Sequence, residues 1–534
     1  MFIRKKLNKN GTFTILLVTG KRVAGKKNPV TVTIKHFGTA KTKNQLRLLL
    51  KQAEAYKADI ELKSPKIKVL KIASDLDIQS CTSYNIGFND IYGTTFDQVF
   101  AELNLKPQAL KQLRDLAVMR IAAPASKRKT ARTAEEYGID CEVNSIYKLM
   151  DKLTAYIIEQ IKKAAYDNTA SLLAQNNKAI DVIFYDLTTV YFETGSQDEL
   201  REFGFSKDGK HQHVQIMLAV MVTTDGLVID YQEFKGNCYE GHTLIPALNE
   251  IKERYDVDKI VLVADAALMN QINLKELDRQ KIKYVIAARI KNSKAKEEII
   301  NTEDYVIISS TTNEEGIVEE LKSKIILGEH GSLVAYHSSK RAKKDQRDRE
   351  KSLEKIKKYL QSTAKSKLTG ALRKPYVKIS KKCKIEIDEK KLALDKRFDG
   401  FFGLHTNIED INPLELLVSY RGLWQVEQTF RIAKNNLEIR PVFHYTPRRI
   451  KAHFAICYMA LALIRHVEFI LRKNHSYIPA DELHLLLDRI RVSRIIDTNH
   501  NLFEMLEDPP QEFASIYQAL SIKIPAKFIC KPTL

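Results

Sequence analysis

The sequence predicts an α/β protein organised around a mixed sheet, and three observations predict it. Apolar, β-branched runs recur between residues 180 and 288. The first three follow one another directly and the later ones alternate with amphipathic stretches, giving the order β-β-β-α-β-α-β. That order reads as an antiparallel meander followed by crossover units, with helices on both faces of the sheet. The pattern then stops near residue 291 and a helical pattern resumes only near Leu414, so residues 291–400 read as an insertion.

Taken in order, residues 2–38 read as a small β unit. Thr12–Thr19 and Val30–Phe37 are rich in Thr, Val and Ile, with Gly20 to Asn28 as the connection. From Lys43 to about Tyr166 the pattern is helical. Leu103–Ile121 carries apolar residues at helical spacing and ends before Pro124. Thr130–Leu153 has the spacing of a helix-turn-helix, with Gly138 at the turn and Ile146, Leu149 and Leu153 on one face; an ordinary αα-hairpin has the same spacing. Ala179–Phe192 is the first strand of the main sheet. His213–Thr223 and Leu227–Phe234 are joined by Thr224-Asp225-Gly226, a hairpin signal. Helix His242–Tyr255, strand Ile260–Ala264, helix Asn270–Arg279 and strand Tyr284–Ala288 complete it. Inside the insertion, Tyr305–Ile308, Lys324–Ile326 and Tyr376–Ile387 are strand-like, and a long basic helix runs from about Lys340 to Leu360. The helical pattern from Leu414 reaches about Arg472, and the tail from His475 has an apolar periodicity of its own.

The 534 residues include 86 Lys+Arg against 66 Asp+Glu, a net charge of +20. Residues 1–66 carry +13 and residues 340–384 carry +14, so the rest of the chain is at −7. Two basic blocks around a mildly acidic body fit a polyanion held against a site that contains carboxylates. The six Cys are scattered without a C-x-x-C pair, against a structural zinc site or a disulfide scaffold. The longest apolar run, Phe454–Ile464, falls short of the roughly 20 residues that span a bilayer. Phe13–Val18 is too short for a signal peptide. A cytoplasmic protein without a membrane segment is therefore expected. No G-x-S-x-G or phosphate-binding P-loop is present, against a serine hydrolase or an NTPase.

Two carboxylates stand out. Asp186 interrupts an apolar β-branched strand, where a lone charge is costly unless paired, protonated or metal-bound. Asp265 closes the apolar strand VLVAD at its C-terminal end, where open α/β sheets place their sites. A third acid lies on the helix around 420–437. There Leu423, Val426, Phe430, Ala433 and Leu437 form an apolar stripe, and Tyr420, Trp424, Glu427, Arg431 and Lys434 form a neighbouring one. The plain alternative for the second stripe is a solvated face with a Glu427–Arg431 pair. Trp424 is expected to pack on the sheet. Asp186, Asp265 and Glu427 together would suit a two-metal phosphoryl-transfer site, with Mg²⁺ as the ion and Mn²⁺ as a substitute.

These residues resemble a known family. YRGLWQVEQTFRIAK is similar to the Y-x2-R-x3-E-x6-K signature of bacterial insertion-sequence DDE transposases of the IS-four superfamily. Tyr420, Glu427 and Lys434 fall in the Y, E and K slots; Leu423 occupies the R slot, leaving Arg421 or Arg431 to supply the cation. FYDLTTVYFE around Asp186, LVADAALMN around Asp265, EFKGN at 233–237, KRAKKDQRDREKSLEK at 340–355 and RPVFHYTPRRIKAHFAICYMAL at 440–461 extend the resemblance over nearly the whole chain. The resemblance implies a ribonuclease-H-like catalytic fold interrupted by a β-rich insertion, two-metal DNA cleavage, joining of 3′-OH ends to target DNA, and a homodimer on double-stranded DNA. It divides the chain into an N-terminal β unit (1–42), a helical DNA-binding region (43–175), a first catalytic part (176–290), a basic β-rich insertion (291–400), a second catalytic part with the Glu helix (401–474) and a C-terminal helical region (475–534). Asp186, Asp265 and Glu427 would hold the metals, with Tyr420, Arg421, Arg431, Lys434, Lys340, Arg341, Lys343 and Lys344 on DNA phosphates. The alternatives are a ribonuclease-H-like nuclease without strand transfer and a catalytically silent DNA-binding derivative.

Overall fold

Strand parity decides the architecture of the unit that holds the large sheet. In the computed structural model, which describes residues 1–8, 11–21, 30–63, 78–206, 209, 212–255, 260–268, 270–312, 316–328, 331–360, 376–379, 385–497 and 500–531, the chain forms two compact units. One comprises Tyr166–Arg431 with Arg440–Val442; the other comprises Met1–Ala165, Ile432–Ile439 and Phe443–Leu534.

The first of these holds a nine-stranded sheet. Its strands are β1 (Val182–Tyr191), β2 (Gln215–Val222), β3 (Val228–Lys235), β4 (Val261–Ala264), β5 (Lys283–Ala287), β6 (Val306–Thr312), β7 (Val318–Gly328), β8 (Gly331–Ser338) and β9 (Phe401–Thr406). They lie in the order β6-β7-β8-β9-β5-β4-β1-β2-β3. β1, β4 and β5 are parallel to one another and every other neighbouring pair is antiparallel, so the sheet is mixed.

Side chains alternate across a strand, and β1 shows the consequence. Ile183, Tyr185 and Leu187 join Met217, Ala219, Leu262, Ala264 and Tyr284 in one apolar core. Helices α1 (Leu244–Arg254) and α2 (Gln271–Arg279) cover this face through Leu244, Leu248, Ile251, Leu274 and Leu277. The Tyr185 hydroxyl, fully buried there, bonds Thr243 Oγ1 at 2.9 Å, and the buried Asp230 carboxylate on β3 accepts from Arg254. The opposite face carries Phe184, Asp186 and Thr188.

The inserted segment builds onto the large sheet. β6, β7 and β8 extend the central sheet, joined to it by β9, a strand the local pattern does not reveal. After β8 comes α3 (Ser339–Leu360), the long basic helix. Its Asp345, Arg349, Ser352 and Ile356 stand on one face by their spacing. Arg349 makes two bonds to Asp399, Gly400 N donates to Asp345 Oδ2 at 3.0 Å, and Ile356 is fully buried. Of the basic block 340–384, residues 361–375 and 380–384 lie outside the described residues.

The expected helix over 420–437 is broken. α4 (Pro413–Arg421) ends before Gly422, and α5 (Trp424–Arg431) starts after it. A Cβ on Gly422 would lie 2.4 Å from Phe184 Cζ, so only glycine lets this bend approach the sheet. Val426 and Phe430 are buried as expected, and Trp424 is 51% exposed.

In the other unit, Phe2–Leu7, Phe13–Lys21 and Val30–Ala40 form a three-stranded antiparallel sheet, one strand more than the sequence pattern suggests. The helix Pro447–Lys473 is the core of this unit and packs against Pro107–Ala122 and Val143–Lys152. Its length and composition would suffice to cross a membrane, yet nearly all of it is buried in protein, with Arg465 and Glu468 paired at 2.8 Å inside. One expectation is corrected here. The regions read as helical also supply a four-stranded sheet, in which Ile78–Asn85 pairs with Arg491–Asp497, followed by Leu502–Leu506 and Phe528–Lys531. Pairing across some four hundred residues leaves no local period to read. Between helices Lys127–Thr133 and Val143–Lys152, the 3₁₀ turn Ala134–Tyr137 prolongs the first helix to Gly138, which adopts a positive φ of 66° at the turn as the sequence suggests, and residues 138–142 make the connection.

Gly422→Ala is expected to destabilise the catalytic unit by about 1–3 kcal/mol, the range for overpacking a tight contact. Urea unfolding measures it, and Phe184→Ala in the same chain should recover part of the loss. An additive double mutant would show that the two residues do not meet.

Candidate active site

The register brings two of the three acids together. β1 and β4 run parallel with Tyr185 opposite Ala264, so Asp186 and Asp265 follow side by side at the next position. Neighbouring strands are about 4.8 Å apart. Both aspartates fall on the face opposite the main apolar core, because Tyr185 and Ala264 occupy the core side. Asp186 is half-buried and Asp265 exposed. Each accepts a hydrogen bond from the next backbone amide, Leu187 N to Asp186 Oδ1 at 2.7 Å and Ala266 N to Asp265 Oδ1 at 2.6 Å.

α5 packs on β1 and β2. Glu427 stands in its first turn and is exposed, and no Glu427–Arg431 pair forms, so the plain reading of that stripe as a salt-bridged solvent face is not what the fold builds. Tyr420, near the end of α4, reports the convergence. Burial pushes its phenol up, Asp265, Glu427 and Asp186 push it further, Arg341 opposes them, and the result is about 12. All three acids thus act on one hydroxyl.

Beside Tyr420 opens a groove of about 1100 Å³. Lys340, Arg341, Lys343, Lys344, Arg347 and Lys351 of α3 line it, with Arg421 and Tyr420 opposite and only Glu319 and Asp348 as acids. Lys340, Lys343, Lys344, Arg347 and Lys351 follow the i, i+3, i+4, i+7, i+11 spacing of one helix face, turned away from the face that holds Arg349 and Ile356. The Arg341 guanidinium lies over the Phe402 ring, 4.9 Å from its centroid, and Phe402 stacks on Tyr336 at 5.0 Å. The expected phosphate contacts Lys340, Arg341, Lys343, Lys344, Tyr420 and Arg421 therefore share one groove. Sequence reasoning does not single out Arg347, Lys351 or Phe402, although the helical spacing of the cations identifies the first two. Arg431 is exposed on α5 and does not line the groove. Lys434 falls in Ile432–Ile439, which packs with the other unit.

Three carboxylates offer hard oxygen donors, the set that suits Mg²⁺ or Mn²⁺. Two sit on adjacent strands and the third on a helix over the same face, so the donor chemistry fits such an ion. Among the described residues no three His, Cys, Asp or Glu side chains are grouped closely enough to hold a metal ion as they stand.

Comparison with protein families finds a match between residues 177–463 and the model described as transposase DDE domain. Comparison with curated proteins finds no match. Among solved structures, the chain is similar to a Mos1 transposase paired-end complex with left transposon end, at 11% identity over 34% of this chain and 60% of that one, with a TM-score of 0.15. It is also similar to a Mos1 mariner paired-end complex with Mn, at 12% identity over 46% of this chain and 78% of that one, with a TM-score of 0.15. The chain thus spans less than two thirds of the first of these.

Because the Tyr420 phenol is held up to about 12, it stays protonated through the neutral range, and any stability linked to it is present below pH 10 and lost as pH rises from 10 towards 12. Carbon-13 NMR of the tyrosine ring, assigned by loss in Tyr420→Phe, should place its ionisation above the ordinary range. Asp265→Asn should lower it more than Asp186→Asn does. Titration at the ordinary tyrosine value would remove the carboxylates from its surroundings.

Proposed function

The chain belongs to the transposase DDE-domain family, whose model spans more than half of it, and from that premise we propose that it is a DNA transposase that cuts element ends and joins them to target DNA. One observation carries this reading: Asp186, Asp265 and Glu427 all act on Tyr420 at the mouth of a groove lined by the cations of α3. A carboxylate cluster alone repels a polyanion, and a basic groove alone only binds one. Side by side they fit a phosphodiester brought to acids that carry metal.

Asp186, Asp265 and Glu427 would hold two Mg²⁺, or Mn²⁺, which when bound supply charge neutralisation and a more acidic attacking oxygen. The chain's own groups do the rest. Arg341 and Arg421 neutralise phosphate oxygens entering the groove, and the protonated Tyr420 hydroxyl donates a hydrogen bond to one of them. Lys434 and Arg431 are proposed as further phosphate contacts from the segment after Glu427. Lys340, Lys343, Lys344, Arg347 and Lys351 track the backbone and carry no base specificity. The mixed order β3-β2-β1-β4-β5 supports a ribonuclease-H-like core. The working form is proposed to be a homodimer on double-stranded DNA, acting in the bacterial cytoplasm at the nucleoid.

Asp265→Asn should reduce strand cleavage by more than about 10³-fold, the scale on which single members of a catalytic set matter, while end binding in a gel-shift assay is retained. Cleavage that survives this change would sink the assignment. Incubation with Mg²⁺, precut ends and target DNA tests the second step: joined products support a transposase, and cleavage without joining leaves a nuclease. The triple change Lys343→Ala, Lys344→Ala, Arg347→Ala should flatten the slope of log K against log[salt] by up to about 2–3, at about 0.9 for each phosphate no longer neutralised. An unchanged slope would place the DNA elsewhere.

A further inference from the structure

A second cationic cluster lies within the other unit. Arg120 comes from helix Pro107–Ala122, Lys127 from Lys127–Thr133, His453 from Pro447–Lys473, and His444 from the segment before that last helix. They are 5%, 4%, 4% and 8% exposed. Arg120 donates to the carbonyls of Leu437 at 3.4 Å and Ala125 at 3.0 Å, and among the described residues its Nε has no acceptor. His453 Nε2 bonds the Ile439 carbonyl at 3.2 Å, and among the described residues its Nδ1 has no hydrogen-bond partner. The two imidazole rings are 5.4 Å apart. Lys127 makes no hydrogen bond or ion pair among the described residues.

No carboxylate is among the charges that act on Lys127, His444 or His453. Lys127 feels Arg120 and the thiols of Cys457 and Cys141; both histidines feel Arg120 and Lys127, His453 also feels His444, and His444 also feels Arg449, which is itself tied to Asp151 at 2.6 Å. Burial and these cations pull Lys127 down to about 7 and His444 to about 3. Deprotonation relieves a lysine or a histidine. A guanidinium has no such relief. A buried guanidinium with an orphan N–H and no carboxylate is costly unless an anion joins it. Exposed Arg128, Lys129 and Arg132 lie on the same short helix as Lys127 and make the approach positive.

We propose that Arg120, Lys127, His444 and His453 form a buried site for a phosphate oxyanion, supplied either by free phosphate or by a phosphodiester of bound DNA. A tetrahedral oxyanion presents acceptors to the Arg120 Nε, the Lys127 ammonium and an imidazole N–H together. The site lies outside the carboxylate cluster; its free-phosphate arm stands by itself, and its DNA arm rests on the proposed function.

The test uses the full chain and two probes. Thermal unfolding is followed in sodium phosphate and in sodium chloride at matched ionic strength, and DNA binding is titrated against salt, for wild type and Lys127→Met. A saturating rise in Tm with phosphate alone, lost in Lys127→Met, identifies a free-phosphate site. No phosphate effect, but a salt slope shallower by about 0.9 in Lys127→Met, identifies a DNA phosphodiester. A chain indifferent to phosphate, with an unchanged salt slope in Lys127→Met, overturns the proposal. Should Lys127→Met fail to fold, His444→Asn carries the same comparison, since His444 makes no hydrogen bond to lose.

Discussion

The catalytic unit depends on one constraint, the strict alternation of side chains along β1. Ile183, Tyr185 and Leu187 commit one face of this strand to the apolar core. Asp186 must then face the other way, next to Phe184. Because β4 runs parallel with Ala264 beside Tyr185, the same parity turns Asp265 to the same side. A one-residue slip of either strand would bury one of these carboxylates among leucines and isoleucines. The register is therefore fixed by the core, and the pairing of the acids follows without any contact between them having to favour it.

The third acid is placed by backbone approach. Phe184 lies on the Asp186 face and fills the space beside Gly422, where a methyl group would collide. That contact sets the bend between α4 and α5 against the sheet, with Tyr420 just before it and Glu427 just after. The long basic helix obeys a similar division. Asp345, Arg349 and Ile356 fasten one face to the start of β9, so the cations on the other face line a fixed wall. Arg341 lies over Phe402 and opposes the three acids at Tyr420, so it belongs to both groove and cluster.

Much of this is legible in the sequence, and the reasons differ by residue. Asp186 and Asp265 are visible because a charge in an apolar β-branched run has few bland explanations. The meander and crossovers are visible because their signals are local: the Asp225-Gly226 turn, the period of two, the alternation with helices. β9 and the strand Ile78–Asn85 are not, because each is held by partners distant in sequence and neither has a strong apolar run. Gly422 reads as one residue inside a helical stripe, since periodicity carries no information about Phe184 on the other side of the contact. Trp424 stands on the stripe beside the buried one, and the fold leaves it 51% exposed.

The overall charge of the chain gains its meaning from this arrangement. A net +20 would attract DNA anywhere on a uniformly basic surface. Here the cations of α3 are concentrated along one wall, and the acids that oppose a polyanion are gathered at its end. A strand drawn along the groove is attracted over most of its length and meets repulsion only where the carboxylates are. On the proposed reading, divalent cations held by the acids would remove that local repulsion, so metal and DNA would each favour the binding of the other. Such coupling is reciprocal by thermodynamic necessity, and it gives the pairing of a basic wall with an acidic end a function that neither has alone.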